Sequence, residues 1–169
     1  MKIAAPDQET RLHDAQHESL RLWLRMLTCT LTIERRVRAR LRERFAITLP
    51  RFDLMAQLER HPQGLKMGEL SRRLMVTSGS VTGLTDQLAE EGLVERTPIP
   101  ADRRAYLVRL TARGKRAFDV MAAEHEGWVV AMFAGLSDSE RDRLHALLGR
   151  LKSTMHESDG TQRGKEAWK

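Results

Sequence analysis

Cysteine and aromatic residues are scarce in this chain. Cys29 is the only cysteine among 169 residues, so no internal disulfide can form, which suits a reducing cytoplasm. Aromatic residues make up 5% of the sequence, whereas proteins that bind single-stranded RNA usually offer several rings on which bases stack. These shortages argue against a disulfide scaffold and against a binder of single-stranded RNA.

Long apolar runs and the usual catalytic motifs are also missing. No run is long enough to span a bilayer, and the first residues, MKIAAPDQETRLHD, contain no apolar signal core. A cytoplasmic protein is therefore expected. The sequence has no Gly-rich phosphate loop, no carboxylate pair in an apolar setting and no nucleophile beside a plausible base. We therefore expect neither an enzyme nor a cofactor.

Positive charge is what the chain has in excess. The formal net charge is +6 and the isoelectric point is near 10.1. A basic balance of this size favours an anionic partner, most often a nucleic acid. The apolar fraction of 41% is enough for a core, and the length fits one domain with helical extensions.

Hydrophobic periodicity predicts helices at both ends of the chain. Residues 9–45 read as one long helix without Gly or Pro, and such a helix usually needs another chain to cover its apolar face. A helix is also predicted from Thr111 to about Phe133, and another after the sequence SDSE. Leucines recur at three- and four-residue steps in the first and last of these helices: Leu20, Leu24, Leu27 and Leu31, then Leu144, Leu147, Leu148 and Leu151.

The middle of the chain predicts a helix-turn-helix followed by a β-hairpin. Thr48 and Pro50 mark the start of one helix, Thr77 or Ser78 can cap a later one, and Gly92 ends it. The fold predicted is mainly α with a small β-hairpin wing. Its parts are an N-terminal dimerisation helix (1–47), a winged helix-turn-helix lobe (48–112), C-terminal dimerisation helices (113–157) and a disordered tail (158–169).

The helix that begins at TSGSVT carries small polar residues on its exposed side. A helix that enters the major groove of DNA needs such residues because they let the backbone approach the base edges. An ordinary capped amphipathic helix would have a similar pattern. The candidate DNA contacts on this helix are Thr77, Ser78, Ser80, Thr82 and Gln87.

The stretch VERTPIPADRRAYLVRL predicts the hairpin, with charge at its tip. Arg103 and Arg104 can enter a minor groove, where the negative potential is strong, and Asp102 can orient a neighbouring guanidinium. A solvated charge run is the alternative. The charged stretch follows a helix-turn-helix in a basic chain, and this position favours contact with DNA.

Residues 65–111 resemble the winged helix-turn-helix of the MarR family, most specifically in the DRR triplet followed by LVRLTARG. The resemblance implies a homodimeric, ligand-responsive repressor of a pseudo-palindromic operator whose half-sites lie one duplex turn apart, ~34–36 Å. It also implies the usual wing roles for Asp102 and Arg104, with Arg103 beside them. Many members carry a basic residue at the position of Gly83, so an arginine-to-guanine contact from this position is not expected.

The family commonly senses a small molecule between its dimer helices and its DNA lobe. Stripes of such residues are more often plain core, and the basic stripe of Arg36, Arg40 and Arg44 could be a solvated face or a phosphate clamp. The first two helices are similar to the branch that senses hydroxycinnamoyl-coenzyme A thioesters, which implies an aromatic acyl-CoA effector. The candidate ligand-binding residues are His17, Trp23, Met26, Cys29, Arg36, Arg40, Phe52 and Met55.

Three alternatives keep the same fold. Cys29 offers a redox sensor without a second cysteine to resolve its oxidised form. His13 and His17 share a helical face, but no nearby cluster completes a tetrahedral site, so no metal site is predicted. A DNA-binding protein without a sensing function is the third alternative.

Overall fold

A computed structural model describes residues 17–99 and 102–166 of the chain. This part of the chain contains six helices and three strands, which confirms the mainly helical fold with a small β wing. The elements are α1 (Glu18–Phe45), α2 (Leu49–Glu59), β1 (Leu65–Lys66), α3 (Met67–Leu74), α4 (Ser78–Glu90), β2 (Val94–Ile99), β3 (Asp102–Leu110), α5 (Ala112–Met132) and α6 (Asp138–Glu166).

The chain divides into two compact units, one ending at Trp128 and the other beginning at Val129. The first unit holds the helix-turn-helix, the sheet and most of α5, because Phe118 and Met121 of α5 are buried in it. The second holds the end of α5 and all of α6.

The sheet of the first unit is antiparallel, with strand order β1-β3-β2. Strands β2 and β3 pair from Val94 opposite Leu110 to Ile99 opposite Asp102, as the hairpin prediction requires. Strand β1 was not predicted. It is two residues long, and its Leu65 pairs with Val108 far along the chain, so no local pattern reports it.

The core of the first unit is made by one face of each helix together with the inner face of the sheet. Thr85 is buried among these apolar side chains, and its hydroxyl donates to the Val81 carbonyl of its own helix at 2.7 Å, so it leaves no unpaired polar group. The fully buried apolar side chains are Leu41, Leu54, Met55, Leu58, Leu70, Val81, Leu88 and Val108.

Helix ends follow the local signals in the sequence. Thr77 Oγ1 accepts from the Ser80 N–H at 3.2 Å, and Gly92 follows α4 with a φ of 67°, which favours glycine. Thr111 Oγ1 accepts from the Gly114 N–H at 2.9 Å. Thr48 lies at the predicted cap position but its side chain forms no capping hydrogen bond. The start of α6 is a capping box, in which Ser137 N–H donates to Glu140 at 2.8 Å.

The C-terminal end differs from its prediction. Helix α6 continues to Glu166, through residues that composition predicts as a disordered tail from position 158. This segment contains no proline, and adding residues to an existing helix is much easier than nucleating one. At the other end, α1 is described from Glu18, and the predicted helical residues before 17 lie outside the described part of the chain.

The terminal helices keep apolar side chains on their surfaces. In α1, Trp23 and Leu31 are each 55% exposed. No helix in the described residues is long and apolar enough to cross a membrane. The exposed apolar stripe of α6 consists of Leu144, Leu147, Leu148, Leu151 and Met155.

Candidate nucleic-acid interface and effector cleft

Helix α4 presents a polar face to solvent because its buried residues all lie on one side. Val81, Thr85 and Leu88 are spaced four and three residues apart and are fully buried. The opposite side contains every predicted DNA-contact residue of this helix together with two glycines. These exposed residues are Thr77, Ser78, Gly79, Ser80, Thr82, Gly83 and Gln87.

Most of the hydroxyl groups on this face are paired within the helix. Thr77 and Ser80 lie 2.9 Å apart, and the Thr82 hydroxyl donates to the Ser78 carbonyl at 3.0 Å. A Cβ placed on Gly79 or Gly83 would meet nothing within 4 Å. The helix therefore offers a shallow surface whose backbone can closely approach a partner.

Arg96 of β2, which was not among the predicted functional residues, connects the sheet to α4. Its Nη2 lies 2.6 Å from Asp86 Oδ1 and donates to the Thr82 carbonyl at 3.4 Å. The alternation of β2 gave a signal for this position, since Val94 is buried and Arg96 lies on the same side of the strand.

Arg51 is a second arginine that contacts the end of α4. It is in the first turn of α2, its side chain is 10% exposed, and it forms an ion pair with Glu91, the residue after α4. The signal in the sequence was its spacing from Leu54, Met55 and Leu58, which places Arg51 on the buried face of α2.

The tip of the hairpin is described only in its backbone. Asp102, Arg103 and Arg104 open β3, and Asp102 pairs with Ile99 across the turn. The predictions for these three side chains lie outside what the structure describes. At the base of the hairpin, Arg109 pairs with Glu95 across the strands at 2.5 Å.

The basic stripe of α1 is divided between protein contacts and solvent. Arg44 forms an ion pair with Glu124 of α5 at 2.9 Å, and the Arg40 guanidinium lies 5.7 Å from the centre of the Trp128 ring. Arg36 is exposed. Two of the three arginines therefore contact α5.

The predicted ligand-binding residues do not form one site within this chain. His17, Trp23 and Cys29 are exposed on α1, whereas Met55 is fully buried in the core. Met26 is half-buried on the same helix. Along the axis of α1, Trp23 and Arg40 are ~26 Å apart at the usual helical rise.

Phe52 lines an open cleft of about 490 Å³ between α2, the end of α3 and α5. Its ring stacks on Phe118 at 5.4 Å between centroids and lies 5.1 Å from the ring of His125. Arg60 and Arg73 also line the cleft. The volume of this cleft is in the range of small-molecule sites.

Asp53 supplies a carboxyl group to the same cleft. Burial raises its pKa above the ordinary value, and the positive charges of His125 and Arg38 act against that shift. Among the residues that the structure describes, no group of three or more His, Cys, Asp or Glu side chains could hold a metal ion.

Comparison with known proteins agrees with this geometry. The model of the MarR family matches residues 47–106. A MarR family transcriptional regulator from Silicibacter pomeroyi, known as a crystal structure, is 30% identical. It superposes with a TM-score of 0.70 over 85% of this chain and 99% of its own.

Curated relatives agree over shorter alignments. The HTH-type transcriptional regulator PecS of Dickeya dadantii is 28% identical over 64% of this chain and 67% of its own length. The HTH-type transcriptional repressor YetL of Bacillus subtilis is 33% identical over 58% of this chain, which spans 59% of YetL. The Silicibacter pomeroyi protein is 30% identical and is covered over nearly its whole length. Together with the family match, this shows that the chain belongs to the MarR family of transcriptional regulators.

Proposed function

We propose that the protein binds an operator in duplex DNA as a homodimer and represses transcription until a small effector releases it. The observation that carries the proposal is the exposed face of α4, polar and open at Gly79 and Gly83, next to a β wing. In the proposed complex, α4 lies in the major groove, with Ser78 and Gln87 facing base edges. The wing tip with Arg103 and Arg104 lies in the flanking minor groove, and Asp102 orients a guanidinium there.

Removing one charge from the wing tip tests the DNA-binding part of this function. We expect Arg104→Ala to lower operator affinity by about tenfold, because a minor-groove guanidinium is lost. The measurement is a gel shift on a duplex that the wild-type protein selects from a random library. Arg116→Ala removes the same charge from an exposed position of α5 and serves as the control. Unchanged affinity of the Arg104 variant in an intact dimer would contradict a DNA-contacting wing.

The proposed effector is an aromatic acid or its acyl-CoA thioester, with the aromatic ring in the cleft beside Phe52. The stacked rings of Phe52 and Phe118 suit a flat apolar group, and Arg60 suits a negative charge at the rim. Arg36 is exposed and available to a phosphate of a longer ligand. Binding would favour a spacing of the two DNA lobes that no longer fits successive major grooves.

Filling the cleft tests the effector proposal. Ala122 lines the cleft, whereas its neighbour Ala123 is exposed and does not. We expect benzoate, cinnamates or their CoA thioesters to raise the melting temperature of the wild-type protein and of Ala123→Phe, because a ligand that binds only the folded state stabilises it. The Ala122→Phe variant should show no shift. An equal shift in both variants would show that the ligand binds outside this cleft.

A further inference from the structure

Arg96 of β2 contacts α4 at two points. We call β2, β3 and the two residues between them the wing. Arg96 Nη2 approaches both the carboxylate of Asp86, at 2.6 Å, and the carbonyl of Thr82, at 3.4 Å. These two partners are one helical turn apart, so a single guanidinium spans a full turn of α4.

Arg96 holds this position at a cost to folding. Its side chain is 29% exposed, and its Nε is buried without a hydrogen-bond partner in the described part of the chain. A buried N–H group without a partner is unfavourable, and each such group in a folded protein calls for an explanation. Arg51 Nε is buried without a partner in the same way, so this feature alone does not assign a role to Arg96. What distinguishes Arg96 is that it lies on the hairpin and reaches two residues of α4.

Asp86 gives the contact a second consequence. Its side chain is 48% exposed on the helix proposed to lie against DNA, where a bare carboxylate would face phosphate charge. The Arg96 guanidinium balances that charge and draws the carboxylate towards the wing. Arg96 therefore balances a negative charge on α4 and connects that helix to β2.

An ion pair in the neighbouring register of the same hairpin provides a comparison. Glu95 and Arg109 face each other across β2 and β3, with side chains 46% and 50% exposed. Exposed ion pairs of this kind contribute little to the stability of the fold. The pair involves no residue of α4, so its loss should leave the direction of the wing unchanged.

We propose that Arg96 is a positioning residue for DNA binding, which sets the wing at the distance from α4 that lets both elements engage one duplex. The proposal rests on the proposed function, because it assumes that α4 and the wing contact the same DNA. It assigns to Arg96 no contact with DNA of its own.

The test compares Arg96→Gln, Asp86→Asn, the double variant and Arg109→Gln on the duplex selected by the wild-type protein. Affinity is measured by gel shift, backbone protection by hydroxyl-radical footprinting, and major-groove contact by protection of guanine N7 from methylation. We expect Arg96→Gln to lower affinity by about tenfold and to lose the flanking footprint while it keeps N7 protection. The double variant should bind no more weakly than Arg96→Gln, since both changes remove one contact. Arg96→Lys, which keeps the charge near Asp86, should recover part of the footprint.

Other outcomes overturn the proposal. If affinity of Arg96→Gln stays within about twofold of Arg109→Gln, the contact does not position the wing. If Arg96→Gln loses N7 protection and the flanking footprint together, or if its melting temperature collapses, Arg96 has a general structural role. A wild-type protein that selects no duplex would overturn the proposed function itself, and the Arg96 proposal with it.

Discussion

Replacing Gly114 with alanine is expected to destabilise the first unit by about 3 kcal/mol or more, at the upper end of what overpacked cores show. A Cβ at this buried position would lie 1.8 Å from the Leu93 carbonyl oxygen and 2.8 Å from its carbon. Those are backbone atoms, which cannot rotate away as a flexible side chain would.

The Leu93 carbonyl also has little freedom to retreat. It accepts from the Thr111 N–H at 3.1 Å, and the Thr111 hydroxyl donates to the neighbouring Gly92 carbonyl at 2.8 Å. The same hydroxyl accepts from the Gly114 N–H at the start of α5. Movement of α5 away from Leu93 would therefore break the cap of α5 and its connection to the turn after α4.

Gly127 of the same helix is the matched control. A Cβ there meets nothing within 4 Å, and the residue is exposed. Gly127→Ala should stabilise the protein by roughly 0.5–1 kcal/mol, because alanine loses less backbone entropy than glycine in a helix. Urea unfolding of the two variants should thus give midpoints on opposite sides of the wild-type value. A Gly114→Ala midpoint equal to that of Gly127→Ala would contradict the close approach of α5 to Leu93.

Gly114 also illustrates what could be predicted from the sequence. Signals that act over four residues or fewer predicted a cap at Thr77 or Ser78, the end of that helix at Gly92 and the start of the next at Thr111, because each depends on the backbone beside it. The need for glycine at position 114 depends on a residue that is distant in sequence. No local pattern distinguishes it from Gly127.

The same distinction explains why neither Arg96 nor Arg51 was predicted as a functional residue. Arg96 and Arg51 matter because of Asp86 and Glu91, which other elements bring to them. Their own sequence neighbours indicate only that they lie on inward-facing sides. For the predicted ligand-binding residues, the sequence pattern itself was ambiguous. Apolar spacing on α1 and α2 is the same for a pocket wall and for a core, and only the packed structure separates Phe52 at a cleft from Met55 in the core.

The second large effect is expected at the leucine stripe of α6. Leu148 lies near its middle, and its side chain is 41% exposed in the single chain. In the proposed homodimer, a second copy covers this stripe, and burying the exposed part of the Leu148 side chain contributes less than half of the about 1.5–3 kcal/mol that full burial of a leucine contributes. An aspartate at the same place would in addition lose the water around its charge, which costs more than the leucine gains. Each dimer contains the position twice. Leu148→Asp should therefore weaken the dimer by at least about a hundredfold.

The matched control uses the opposite face of α6. Ala146 is exposed and lies about 160° around the helix from Leu148. Ala146→Asp introduces the same charge and a larger loss of helix propensity, since alanine is the best helix former. Sedimentation velocity over a range of protein concentrations should find a monomer for Leu148→Asp and a dimer for Ala146→Asp. DNA affinity should fall with the dimer, because a monomer engages only one half-site. A Leu148→Asp protein that remains dimeric and keeps its operator affinity would contradict a dimer interface along this stripe.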